Sequence, residues 1–137
     1  MHVEATDIAP LHKLDGVHAF IVHDAPDARE LLVRVLRHQG ATVTAFASAP
    51  AALETITHSR PGVIMSDLGM PGMDGHQLIR ALRATETRKS RIPALALTAF
   101  ARGEDRKRAL QAGFQAHLAK PFDLGELVLL VADLVGR

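Results

Sequence analysis

Short apolar runs, each followed by a segment of helical periodicity, recur along the whole chain. They are HAFIV (18–22), ATVTAF (41–46), VIMSD (63–67), IPALAL (92–97, ending at Thr98) and FQAHLA (114–119). Most show little polar alternation, so they need cover on both faces, and helices between parallel strands supply it. Pro26 suits a first helical turn; Ala28, Leu31, Leu32, Val35 and Leu36 then repeat at helical spacing until Gly40 closes the helix. Ser48 is the expected N-cap of a helix over 49–58, and Asp74 of one running to residue 85. Arg83 through Arg91 reads as a polar connector, and a helix over 103–112 stops at Gly113. Asp123 caps a last helix, 124–135, with Leu124, Leu127, Val128, Val131, Leu134 and Val135 as its inner stripe. The expected fold class is α/β: a doubly wound, five-stranded parallel sheet with five helices. Ligands of such sheets bind beyond the carboxyl ends of the strands.

The 137 residues make one domain, expected over 17–137, with 1–16 as a leader or linker. Sixteen Lys and Arg against fifteen Asp and Glu give a net charge of +1, which offers no electrostatic footprint for nucleic acid or a membrane surface. The absence of cysteine excludes disulfides, thiolate metal sites and Cys nucleophiles. With no Trp or Tyr and five Phe, a base-stacking surface has no support. No apolar stretch approaches the roughly 18 residues of a membrane span. The start, MHVEATDIAPLHKLDG, lacks the basic and apolar regions of a signal peptide, so a cytoplasmic location is expected.

Under this topology His23 and Asp24, Asp67, Thr98 and Lys120 leave four strands on one edge of the sheet. Crowded carboxylates attract a hard divalent cation such as Mg²⁺, which keeps waters and leaves room for a phosphoryl oxygen. A carboxylate also attacks phosphorus to give an aspartyl phosphate. A lysine and a metal neutralise the transferring group, and a threonine hydroxyl hydrogen-bonds its oxygens. The set suits phosphoryl transfer onto an Asp.

At these residues the sequence resembles the receiver domain of two-component response regulators, from about Val17 to Val135. MSDLGMPGMDG (65–75) resembles the phosphoacceptor loop, LALTAF (95–100) the switch-hydroxyl segment, and HLAKPF (117–122) the lysine segment. The resemblance implies Asp67 as phosphoacceptor, Thr98 and Lys120 as catalytic and switch residues, and Pro121 as a cis proline. It also implies Mg²⁺ held by Asp24, Asp67 and the Gly69 carbonyl, with Mn²⁺ as a substitute. His117 stands where the family often has an aromatic that swings inward on activation; a half-exposed strand residue is the alternative. The implied partner is a histidine kinase or histidine phosphotransfer domain. The implied output is a changed face made by helix four, strand five and helix five, through which a homodimer is compatible with the outward-looking Leu129. Such a domain catalyses its own phosphorylation and dephosphorylation and is not a metabolic enzyme. The leader LHKLDG resembles that of receivers at the C-terminus of hybrid sensor kinases, so a stand-alone receiver and a piece of a larger protein both remain open.

One position departs from the family pattern, which puts two adjacent acids after strand one; here the pair reads His23-Asp24. Weakened but retained Mg²⁺-dependent phosphorylation is expected, and the bland reading of His23 as a tolerated polar residue on the rim is compatible with it. A protonated His23 would oppose the metal, and a neutral one favours a softer metal such as Mn²⁺ or Zn²⁺. The rival reading is a pseudo-receiver that binds partners without phosphorylation. A phosphatase of the haloacid dehalogenase type needs a second acid where Gly69 stands, and nucleotide-binding glycine motifs are absent. The remaining histidines show no ligand spacing. Met65, Met70, Met73, Phe100 and Phe122 read as packing and loop anchors, and Arg102, Arg106 and Lys107 as a solvated helix face.

Overall fold

The structure, a computed structural model, describes residues 13–99 and 103–137. The chain alternates strictly: β1 (His18–Val22), α1 (Pro26–His38), β2 (Thr42–Phe46), α2 (Ala49–Ile56), β3 (Val63–Asp67), α3 (Gly75–Ala84), β4 (Ala94–Thr98), α4 (Gly103–Ala112), β5 (Ala116–Ala119) and α5 (Leu124–Leu134). All five strands run parallel in one sheet of order β2-β1-β3-β4-β5. The expected doubly wound α/β fold is therefore the fold observed.

Strand side chains alternate between two apolar layers. Ala19, Ile21, Val63, Met65, Leu95 and Leu97 face Leu32, Val35 and Leu36 of α1 and Leu127, Val128 and Val131 of α5. Phe20, Val22, Ile64, Ala94 and Ala96 face Ala52 and Ile56 of α2, Leu78, Ile79 and Leu82 of α3, and Ala109 and Ala112 of α4. Every residue of β3 and β4 is buried, which is why these runs carry no polar alternation. Burying one Leu or Ile contributes roughly 1.5–3 kcal/mol, so these two layers hold the strand ends in place.

Several local expectations need adjusting. Ser48 sits at the N-cap of α2 but makes no side-chain capping bond, because Pro50 removes one of the N–H groups such a cap satisfies. Asp74 and Asp123 do cap, each accepting from the backbone N–H three residues on. The polar connector is not a solvated segment throughout. Glu86, its side chain 3% exposed, accepts from Arg83 at 2.6 Å, Arg60 at 3.3 Å and the Ile92 N–H at 2.7 Å. Arg83 in turn donates to the Gly113 carbonyl, joining α3 to the end of α4. Residues 13–16, read with the leader, pack on the domain: Leu14 is fully buried and its N–H donates to the Gln39 carbonyl at 2.9 Å.

Candidate phosphoacceptor site

From β1 the chain goes on to β2 on one side and from β3 to β4 on the other, so a crevice opens beyond the carboxyl ends of these two adjacent strands. The register sets which residues meet there. Val22 pairs with Ser66, so the next residues, His23 and Asp67, stand level. Asp67 pairs with Leu97, putting Thr98 one step beyond, and Thr98 pairs with Ala119, putting Lys120 one step beyond that. The Lys120 N–H donates to the Thr98 carbonyl at 2.8 Å. The backbone alone thus brings all the strand-end residues to one edge.

Asp67 is 5% exposed. Lys120 Nζ lies 3.4 Å from Asp67 Oδ1, and the Gly69 N–H donates to the same oxygen at 3.4 Å. Asp24 stands exposed beside them, and Thr98 is buried at the end of β4. A pocket of about 290 Å³ opens over Asp67, Thr98 and Lys120, lined also by Leu68, Gly69, Ala99, His76 and Arg108. His117 is half-buried on β5, alternating with Leu118, which faces the α1 and α5 layer. The Lys120-Pro121 peptide is cis, as the resemblance implies.

His23 is not on the rim. It is 1% exposed, at the base of the crevice. Its Nδ1 accepts from the Ala25 N–H at 3.1 Å, so that nitrogen carries a lone pair. Burial lowers its pKa below the ordinary value, outweighing the pull of Asp67, with Lys120 adding to the lowering. The ring is therefore neutral near pH 7, and of the two charge states left open by the sequence the softer, nitrogen-donor one is realised. Nδ1 lies 3.8 Å from Asp24 Oδ1 and 3.8 Å from Asp67 Oδ2. Among the described residues, His23, Asp24 and Asp67 form the one group of three donors able to share a metal ion.

Two residues that shape the site were missed in the sequence. Arg29, on α1, donates to the His23 carbonyl at 2.7 Å and clamps the loop after β1. Gly75 opens α3 directly against the end of β3: a Cβ there would stand 2.4 Å from the Asp67 carbonyl oxygen. An Asp-Gly step before a helical run was the available signal for it. Met65 and Met70 are buried core residues, Met73 and Phe122 pack partly buried against the core, and Arg106 and Lys107 are exposed, all as expected. Phe100 and Arg102 lie outside the described residues.

A family model for the response regulator receiver domain matches residues 19–132. The chain belongs to the response regulator receiver family. It is 44% identical over 121 residues to an uncharacterized 14.6 kDa protein of Leptolyngbya boryana, covering 88% of this chain and 92% of that one. It is 34% identical to response regulator Rre1 of Synechocystis, covering 90% of this chain but about half (53%) of that protein. Among solved structures, a putative response regulator from Chloroflexus aurantiacus superposes with a TM-score of 0.82 at 33% identity, covering 88% of this chain and 98% of that one. The receiver domain of sensor histidine kinase PA1611 from Pseudomonas aeruginosa, with a magnesium ion coordinated in its active site cleft, gives 0.80 at 34% identity, covering 89% and 99%. Both response regulators and a sensor kinase receiver are thus among the similar proteins. No helix of the described residues is long and apolar enough to cross a membrane.

Proposed function

We propose that this receiver domain takes a phosphoryl group onto Asp67 from a phosphohistidine of a histidine kinase or phosphotransfer protein. The observation that carries this reading is the buried Asp67 carboxylate with Lys120 Nζ 3.4 Å from one oxygen and the other turned towards the Asp24 and His23 side of the crevice. An Asp67 oxygen bonds to phosphorus as the phosphorus–nitrogen bond of the donor breaks, and the electron pair stays on the departing imidazole. Lys120 neutralises charge on the transferring group, and the Thr98 hydroxyl hydrogen-bonds one of its oxygens. Asp24, Asp67 and the Gly69 carbonyl would hold a divalent cation, Mg²⁺ or Mn²⁺, which supplies charge neutralisation to the phosphoryl oxygens when bound. Rearrangement of Thr98 and an inward turn of His117 would then alter the face of α4, β5 and α5 that a partner, or a second copy, reads.

The test is intact mass after incubation with acetyl phosphate, with and without Mg²⁺, beside an Asp67→Ala variant. A cation-dependent gain of one phosphoryl group, absent in the variant, is the expected result. No gain with either Mg²⁺ or Mn²⁺ would favour the pseudo-receiver, for which the buried neutral His23 is the one structural argument.

A further inference from the structure

Where the family pattern implies a second acid, this chain puts a nitrogen donor that faces both carboxylates of the cleft. The donor atoms of His23, Asp24 and Asp67 all lie within 4.8 Å of one another. The residue is anchored at the base of the crevice: it is 1% exposed, its backbone N–H donates to the Phe46 carbonyl at 3.0 Å, and its backbone carbonyl accepts from Arg29 at 2.7 Å. The Nδ1 lone pair is already directed at a hydrogen-bond donor, the Ala25 N–H at 3.1 Å. Ala25 is exposed, so water can take that N–H if Nδ1 turns to a cation. Nε2 has no hydrogen-bond partner among the described residues, and nothing there competes for the ring's orientation.

We propose, resting on the reading of this cleft as the phosphoacceptor site, that it binds borderline first-row divalent cations such as Co²⁺ and Zn²⁺ in preference to Mg²⁺, with His23 Nδ1 as ligand beside Asp24 and Asp67. Donor chemistry and spacing both lead there. Mg²⁺ is held by oxygen donors in a near-octahedral shell and is reluctant to give up water, whereas imidazole suits Zn²⁺, Ni²⁺ and their neighbours. Around a cation about 2.1 Å from each ligand, adjacent donors stand about 3.0 Å apart in an octahedron and about 3.4 Å in a tetrahedron. The two 3.8 Å separations from Nδ1 lie nearer the wider arrangement. Charge works in the same direction. Two carboxylates remain in place of three, and Lys120 sits 3.4 Å from one of them. A cation held mainly by charge therefore loses more than one that gains a nitrogen bond.

The test titrates the full chain with Co²⁺ and with Mg²⁺, following the visible Co²⁺ bands, which report donor type and coordination, and obtaining Mg²⁺ affinity by competition. Co²⁺ is expected to bind at least about 100-fold more tightly than Mg²⁺. His23→Asp should lower that ratio at least about tenfold and change the bands, and His23→Gln should do the same with an unchanged circular dichroism spectrum. An equal ratio in wild type and both variants overturns the proposal, as does Co²⁺ binding that survives Asp67→Ala. Acetyl phosphate labelling run alongside separates the two levels. Labelling of Asp67 with a ratio indifferent to His23 sinks the metal preference alone. Co²⁺ bound through His23 with no labelling under any cation leaves the preference standing and sinks the phosphoacceptor reading.

Discussion

Gly75→Ala tests whether the start of α3 and the end of β3 are held at a set distance. A Cβ at this position would stand 2.4 Å from the Asp67 carbonyl oxygen, 2.9 Å from Leu68 Cα and 3.1 Å from the Asp67 carbonyl carbon. A carbon and an oxygen in ordinary contact are no closer than about 3.3 Å, so the gap must open by about 0.9 Å. Every atom in the way is backbone, and none can rotate aside. The Gly75 N–H also donates to the Leu68 carbonyl at 3.2 Å, so the helix cannot move off without straining that bond. Forced overpacking costs about 1–3 kcal/mol, offset by at most about 1 kcal/mol from alanine's better helix propensity. The net loss of about 1–2 kcal/mol should lower the melting temperature by about 3–8 °C, read by far-ultraviolet circular dichroism. Because the displaced carbonyl belongs to Asp67 itself, acetyl phosphate labelling should slow by about tenfold or more, as misplacement of a reacting group by about 1 Å does. Gly103→Ala is the stability control: it opens α4 and meets nothing within 4 Å, so it should melt at or slightly above wild type. A Gly75→Ala protein with unchanged melting and labelling, or an equal loss in Gly103→Ala, would refute the reasoning.

Glu86→Ala should cost about 3–5 kcal/mol in urea denaturation, because it leaves the mostly buried Arg83 guanidinium without its carboxylate and orphans the Ile92 N–H. A loss under 1 kcal/mol, on the scale of an exposed pair, would show that the pair is solvated. Leu14→Ala should cost about 2–5 kcal/mol, since the side chain is fully buried; a surface-sized effect would show that residues 13–16 add nothing to the core. The pKa of His76 is lowered from its ordinary value, by burial first and by Arg108 and Arg80 against the pull of Asp74. The unfolded chain therefore binds the proton more readily, so stability should fall as pH drops through about 6.5 and level off only below the folded-state value. Denaturation midpoints measured across this range should decline less steeply in His76→Gln, and an unchanged slope would exclude His76 as a contributor.

The strands and the residues at their ends were legible because both are local signals: an apolar run, and the first polar residue after it. Once the sheet is parallel, register does the rest, and Asp67, Thr98 and Lys120 follow one another in successive steps. What escaped the sequence depends on partners far along the chain. Within the charge-rich segment 83–91 little marks Glu86 as the buried member, since its burial comes from Arg60 on the loop before β3 and from Ile92 just ahead of β4. The spacing of Arg83 and Glu86, three apart at a helix end, was the only local hint. Leu14 fell within the segment read as a leader or linker, and its packing goes with a backbone bond to the Gln39 carbonyl at the end of α1. His23 was legible as a departure in residue type, whereas its burial and its lone pair depend on Arg29 and Ala25 after the strand.

That distinction bears on how the site is balanced. With a neutral imidazole, Asp24 and Asp67 contribute two negative charges and Lys120 one positive, so the cleft carries a net single negative charge rather than the double one a further acid would give. Less self-repulsion surrounds the buried Asp67, and the folded domain depends less on a bound cation to relieve it. The same change weakens the attraction that concentrates a hard cation in the cleft, leaving donor chemistry to select the ion. Under the proposed metal preference the histidine trades charge for ligand type: it lowers repulsion in the cleft and narrows the class of cation that fits it, while the backbone register keeps Asp67 and Lys120 side by side. Removing the lysine and removing the histidine should thus have separable effects. Lys120→Ala should slow labelling under every cation, whereas His23→Asp should change which cation labels best.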